Sequence, residues 1–324
     1  MNLQRCVHWT AAMMLVAASA ALEAQVFPTR PVRIISPFGA GGGTDILART
    51  MAQKLTEVWR QQVIVENRPG ATGIIGAELV VRSPPDGHTM LLGNAATQAV
   101  NVSMFKKLPY HPLRDLACVT VVGRLPELLV VHPSLPVSSV KQLIALAKAK
   151  PGALDFGSAG VGSPPHLAGE LFKSMAKIEM VHVPYKASPL ALTDVMAGQI
   201  TMYFSNMLTA VRLVRAGKLK ALGTTGIKRS AVAPEIPTIS EAGLLGYEEY
   251  IWYVVAVPAA TPPATVTALN SAIVAVLKSR EVSDVLTADG AEIIAGTPEQ
   301  CTAFTQSEIN RYAKVIRDAR ISAE

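Results

Sequence analysis

Cysteine, aromatic side chains and charge are all scarce in this chain, and no apolar stretch is long enough to cross a bilayer. Three cysteines among 324 residues exclude a small disulfide scaffold, in which paired cysteines stand in for a core. Charged residues make up only 17% and hydrophobic ones 50%. So much aliphatic surface excludes a disordered chain. The one membrane-directed stretch, Ala11–Leu22, covers 12 residues against the roughly 20 that a spanning helix needs, which excludes a multi-pass membrane protein. The six histidines form no i, i+4 pair and adjoin no cysteine or carboxylate cluster, so no metal site is expected. Neither Ser158 nor Ser163 sits in a Gly-x-Ser-x-Gly elbow. With no acid, base and nucleophile converging, the chain reads as a binder without a cofactor rather than an enzyme.

What is present begins with an export signal. Arg5 supplies the positive start, Ala11–Leu22 the apolar region, and Ala24 a small residue before a cut at Gln25. Residues 1–24 are therefore expected to be removed, leaving a soluble periplasmic protein. Cys6 precedes the apolar stretch, so it is not a lipidated residue following the cleavage site. The formal net charge is +6, but the basic residues are scattered and not interleaved with aromatics. Nucleic acid is accordingly not an expected partner, while a mild long-range pull on anions is. Cys118 and Cys301 remain in the mature chain. They either pair or lie as two buried hydrophobes, and the sequence leans to the second.

Short β-branched runs alternate with helical patterns, which signals an α/β fold with mostly parallel sheets. Strands are expected at Val32–Ser36, Val63–Glu66, Thr89–Leu92, Leu154–Ser158, Met180–Pro184 and Met202–Phe204. Helices are expected at Asp45–Trp59, Gly73–Arg82, Lys141–Lys150, Pro164–Lys177, Leu190–Ala197, Leu208–Gly217, Ala264–Lys278 and Pro298–Ala319. Two long β-rich segments, Cys118–His132 and Tyr247–Pro258, bracket a self-contained series of about 120 residues. The economical arrangement is two α/β lobes joined by two crossing strands, with residues 25–122 plus 256–324 in lobe one and 123–255 in lobe two. A double crossover makes a hinge, and the cleft between lobes is a natural ligand site.

Two glycine-rich turns, Ser36–Asp45 and Gly157–His166, each join a strand to a helix. Glycine lets main-chain N–H groups approach a ligand closely. A helix start adds unsatisfied donors and about half a positive charge, so each turn is an anion cradle by geometry. Ser163 is expected to cap the second helix, with Pro164 at its first position. The competing dinucleotide fingerprint starts at Gly39-Ala-Gly41 but needs a third glycine where Thr44 stands. No Lys or Arg lies within either turn, so a carboxylate would be held by main-chain donors rather than a salt bridge.

The run Pro31–Asp45 resembles the start of the extracytoplasmic solute receptors of tripartite tricarboxylate transporters, the Bordetella uptake (Bug) family. So do Val65-Glu-Asn-Arg-Pro-Gly70, Val131-His-Pro-Ser-Leu-Pro136, His182-Val-Pro-Tyr-Lys186 and Pro237-Thr-Ile-Ser-Glu-Ala-Gly243. The resemblance implies a type II periplasmic-binding-protein-like fold and a monomer that passes a small organic carboxylate to the large and small membrane subunits of a permease. It implies lobe-one contacts at Phe38, Ala40, Gly41, Gly42 and Thr44, and lobe-two contacts at Ser158, Ala159, Gly160 and His166. Asn94, Thr97 and Ser205 would line the far end of the cleft. Ser205 stands where many relatives carry Asp, which argues against an amine-bearing ligand. Ala187 stands where a glycine is common, which makes its turn less open. An exported enzyme or a sensor-feeding binder on the same scaffold is the alternative reading.

Overall fold

The computed structural model describes residues 27–288 and 290–318; the expected signal at residues 1–24 lies outside them. The first strands and helices follow the hydrophobic pattern. Strand β1 (Val32–Ser36) leads into helix α1 (Gly43–Trp59), which buries Leu47, Ala48, Met51, Ala52 and Leu55 along one face. Next come β2 (Val63–Asn67), α2 (Ile74–Val81) and β3 (Thr89–Asn94), then a π-helical turn at Ala96–Val100 that runs into α3 (Asn101–Met104). A short α4 (Pro112–Asp115) precedes β4 (Leu116–Leu125).

Beyond Pro126 the chain enters a second sheet. Its elements are β5 (Glu127–Val131), α5 (Val140–Ala149), β6 (Asp155–Ser158), α6 (Pro164–Ala176), β7 (Val181–Pro184), α7 (Ser188–Met196), β8 (Met202–Asn206), α8 (Met207–Arg215) and β9 (Lys220–Thr224). The chain then returns through β10 (Ile251–Pro258), α9 (Pro263–Lys278), α10 (Arg280–Ala288), β11 (Glu292–Ile293) and α11 (Pro298–Asp318).

Strand order is β11-β4-β10-β3-β1-β2 in the first sheet and β7-β6-β8-β5-β9 in the second. Pairing is parallel for β1 with β2 and β3, and for β6 with β7 and β8. The strands at the crossings, β10, β4, β5 and β9, pair antiparallel. Gly123–Leu125 and Ile251–Val255 pair within the first sheet, so hydrogen bonding changes sheet at Pro126 on the way out and after Thr224 on the way back. Each sheet carries its own apolar clusters: Met51, Leu55, Leu92 and Ile273 among those of the first, Leu143, Phe156, Phe172 and Phe204 among those of the second.

Cys118 and Cys301 form a disulfide across 183 residues, which corrects the lean toward two unpaired hydrophobes. The bond ties β4 to the first turn of α11. Both residues pack in one apolar cluster with Trp252 and Tyr312. Burial and pairing are therefore not alternatives here. Among the described residues no helix is long and apolar enough to cross a membrane.

Candidate functional site

Strands β1, β3, β6 and β8 end at Ser36, Asn94, Ser158 and Asn206. In open parallel sheets the crevice beyond the carboxyl ends of the strands is where ligands sit. Both glycine-rich turns leave from those ends and meet there.

The first turn is stitched to its helix by Asp45, which accepts the Gly41 N–H at 2.9 Å and bonds from Arg49 Nε at 3.1 Å and Asn67 Nδ2 at 3.0 Å. Burial alone would raise the Asp45 pKa, but these bonds pull it below the ordinary carboxylate range. Arg49 compensates its charge. Helix α1 has no side-chain cap, so no capping side chain satisfies its opening N–H groups at Gly43 and Thr44.

The second turn is built by side chains behind it. Ser158 Oγ accepts the Gly160 N–H at 3.0 Å and lies 2.6 Å from His182 Nε2. His166 Nδ1 accepts the Gly162 N–H at 2.9 Å. The two imidazoles stack at 4.0 Å, and Phe156 stacks on His182 at 5.0 Å. Ser163 does not cap α6; its hydroxyl donates to Gly160 O at 2.6 Å instead. Gly160 takes φ +113, a conformation that a side chain would strain.

Burial, helped by the charge of Lys173, keeps both histidines neutral, with pKa values lowered to about 3 for His166 and about 4 for His182. A folded-state pKa below the unfolded 6.5 contributes stability that is present above pH 6.5 and lost as the pH falls through the folded values. Thermal melts should therefore shift downward as the pH is lowered from 6.5 toward 4. His182→Gln, which keeps a polar partner for Ser158 but does not titrate, should make that decline shallower. Parallel pH profiles for the variant and the parent would count against this account.

Between the turns lies an inner space of about 40 Å³, bordered by Phe38, Gly42, Thr44, Asn94, Ala159, Ser163, Lys186, Ser188, Asn206 and Tyr253 among others. One water needs about 10–15 Å³ by such a measure, so the space suits a carboxylate-sized group. It adjoins an outer cavity of about 550 Å³ that shares Phe38, Gly39, Ala159, Lys186 and Ala187 and adds Pro37, Gly160 and Tyr185. Three helix starts border the inner space: α1 at Gly43, α6 at Ser163–Pro165, and α7 at Ser188. Among the described residues no Asp or Glu borders either cavity, and Lys186 borders both. Lys186 is thus the basic group that the turns themselves lack. The sequence placed no basic side chain next to either turn, and the fold brings one in from the loop after β7.

Of the expected contacts, Phe38, Gly42, Thr44, Asn94 and Ala159 border the inner space and Gly160 the outer cavity. Ala40 and Gly41 are exposed and border neither cavity. Thr97 is buried behind Asn94, its hydroxyl accepting the Asn94 N–H at 3.1 Å. Ser158 and His166 are buried and shape the second turn from behind. Ser205 is also buried, its hydroxyl on the Asn206 carbonyl at 3.2 Å. Along a strand successive side chains point to opposite faces, and it is Asn206 that faces the cleft. Asn206 Nδ2 donates to Tyr253 Oη at 2.7 Å, linking the second sheet to the first. Thr72 Oγ1 donates to Val161 O, a second link between them. Sequence reading missed Asn206, although it adjoins Ser205, and had no signal for Tyr253, one of several aromatics in a β-rich run.

The Tripartite tricarboxylate transporter family receptor (TctC) model matches residues 47–321. BugT of Bordetella pertussis is 36% identical over 323 residues, 98% of each chain. Among solved structures, Rhodopseudomonas palustris Rpa4515 with adipate has a TM-score of 0.89 at 38% identity, covering 91% of this chain and 99% of that one. MatC from Rhodopseudomonas palustris with bound malate has a TM-score of 0.85 at 30% identity, covering 90% of this chain and all of that one. The two α/β sheets and the cleft at their strand ends accord with these matches, and the chain belongs to the tripartite tricarboxylate transporter receptor family, whose members are solute-binding receptors rather than enzymes.

Proposed function

We propose that this chain is a periplasmic receptor that captures a small carboxylate-bearing solute between its lobes and delivers it, as a monomer, to the large and small membrane subunits of a permease. The observation that carries this reading is the convergence of three helix starts and Lys186 on an inner space bordered by no acidic side chain. The positive ends of helix dipoles favour a negative charge; α1 adds N–H donors at Gly43 and Thr44, while α6 opens with Pro164 and Pro165 and contributes its dipole rather than N–H groups, and the inner space is carboxylate-sized. The adipate and malate held by Rpa4515 and MatC support the same chemistry. Phe38, Gly42, Thr44, Asn94, Ala159 and Gly160 are the contacts we retain from the sequence, to which we add Asn206 and Lys186. Removal of residues 1–24 would complete export, and the lobes divide at Pro126 and within residues 225–250.

The test is calorimetric titration with adipate, malate and the corresponding amides. A charge-assisted hydrogen bond contributes about 1.5–3 kcal/mol, so replacing the gripped carboxylate by a neutral amide should weaken binding by about 10- to 100-fold. Equal affinity for acid and amide would show that the helix starts are not what grips the solute.

A further inference from the structure

Pro126 separates the two sheets, and Glu127, the first residue of β5, follows it directly. Its main chain is anchored: the N–H donates to Thr225 Oγ1 at 2.7 Å and the carbonyl accepts the Thr225 N–H at 2.9 Å. Its side chain is not. Glu127 is fully buried, and neither carboxyl oxygen has a hydrogen-bond partner. An ionised carboxylate in that position would be costly.

The groups around Glu127 come from every element packed on the hinge. Asn206 lies opposite it on β8, and Tyr203 of β8, Tyr253 of β10 and Tyr247 of the return segment each feel its charge. The charged neighbour acting on it is Glu249, on the second crossing. Glu249 is itself buried, and burial raises its pKa even though Arg311 Nη1 donates to it at 3.0 Å and the Tyr312 hydroxyl also donates, with Glu308 bound to the far side of Arg311. The Glu249 N–H donates to Thr225 O at 3.0 Å, so Thr225 joins both crossings. Each of the two chain crossings therefore carries a buried glutamate, and only one of the two has a cation.

We propose that Glu127 is a proton-linked latch on the hinge: the cleft closes with this carboxyl protonated and opens when it ionises. Tyr253 and Asn206, bonded to each other across the sheets, cover this region in the closed form. Opening parts them and lets water reach the carboxyl, whose ionised form is then hydrated. Burial first, and the Glu249 charge second, hold the closed-form pKa well above the usual carboxylate value. With the closed-form pKa raised, closure is favoured at low pH and weakens as the pH rises through that value. The inference rests on the hinge of the two-lobe reading and not on which solute is bound.

The ligand-free full-length mature protein provides the test, which keeps it separate from any failure of carboxylate binding. Small-angle scattering should show the parent more expanded at the alkaline end of a pH series than at its acidic end, because burial moves glutamate titration above the ordinary carboxylate range. Glu127→Gln should stay compact at both. Infrared spectra at the lower pH should show a protonated-carboxyl carbonyl band in the parent that is weaker in the variant, where only a protonated Glu249 can contribute to it. Glu127→Leu is the second non-titrating variant, suited to the burial if the amide is not tolerated, and should also stay compact. Expansion of both variants alongside the parent, an unchanging parent radius, or a carbonyl band undiminished in Glu127→Gln would overturn the proposal.

Discussion

Gly43→Val is expected to cost about a hundredfold in carboxylate affinity, close to 3 kcal/mol, at the upper end of what overpacking costs. Gly43 opens α1 with ordinary helical backbone, so the substitution does not strain the turn itself. The difficulty is space. A Cβ there would lie 2.2 Å from Asn206 Nδ2 and 2.8 Å from Tyr253 Oη, the two groups whose bond links the sheets at the cleft. Asn206 belongs to the opposite sheet, so moving the lobes apart relieves the closer overlap without unfolding either, and a small shift of the Tyr253 ring, in the first sheet, relieves the other. The ligand-free melting temperature should change little while binding falls, a combination that separates lost closure from lost fold. Gly42→Val is the companion case. Its Cβ meets only Gly39 O at 3.4 Å, so the added side chain has room in the folded protein yet sits at the border of the inner space. Titration of both variants with adipate or malate is the measurement. Near-normal affinity in Gly43→Val would show that the interlobe contact at Asn206 is dispensable for binding.

Removal of the disulfide should produce the largest change in stability. Cys118 and Cys301 are 183 residues apart in sequence, so the bond constrains a very long loop in the unfolded chain. Loss of a native disulfide typically costs about 2–5 kcal/mol, which corresponds to roughly 3–8 °C in a chain of this size. The Cys118→Ala/Cys301→Ala double variant leaves no thiol in the chain that follows residue 24, and it removes only small side chains from the cluster around Trp252 and Tyr312. Its melting curve should lie below that of the parent by that amount. Reductant should lower the parent and leave the variant where it is. A variant that melts within a degree or two of the oxidised parent would mean that α11 is held to the first sheet by packing alone. Because the bond lies in the first sheet, solute affinity at low temperature should be unaffected.

Local chemistry written in the sequence was enough for the α/β alternation and the β1–turn–α1 and β6–turn–α6 units. A β-branched run, a glycine-rich turn and a 3.6-residue apolar stripe are each short-range signals. The β-rich segment Cys118–His132 is divided in the fold into β4 and β5 at Pro126, since proline cannot donate within a ladder. Strand β9, Lys-Ala-Leu-Gly-Thr, was not legible in the sequence. Apart from Thr224 it has no β-branched residue, and its pairing with β5 comes from the sheet that receives it. The π-helical turn at Ala96–Val100 and helix α10 were equally silent, the first because its backbone departs from the regular period and the second because it is short and mostly polar. The pairing of Cys118 with Cys301 needed β4 and α11 to be brought together. At the site, Ser158 and His166 carry the right chemistry for a ligand, but the fold spends it on holding the second turn. Lys186, the α7 start, Asn206 and Tyr253 face the cleft only because two sheets meet there. Sequence determined which segments could cradle an anion, through backbone freedom and helix starts, which are local properties. Tertiary structure decided which side chains surround that anion, because direction into a shared space depends on how separate elements pack.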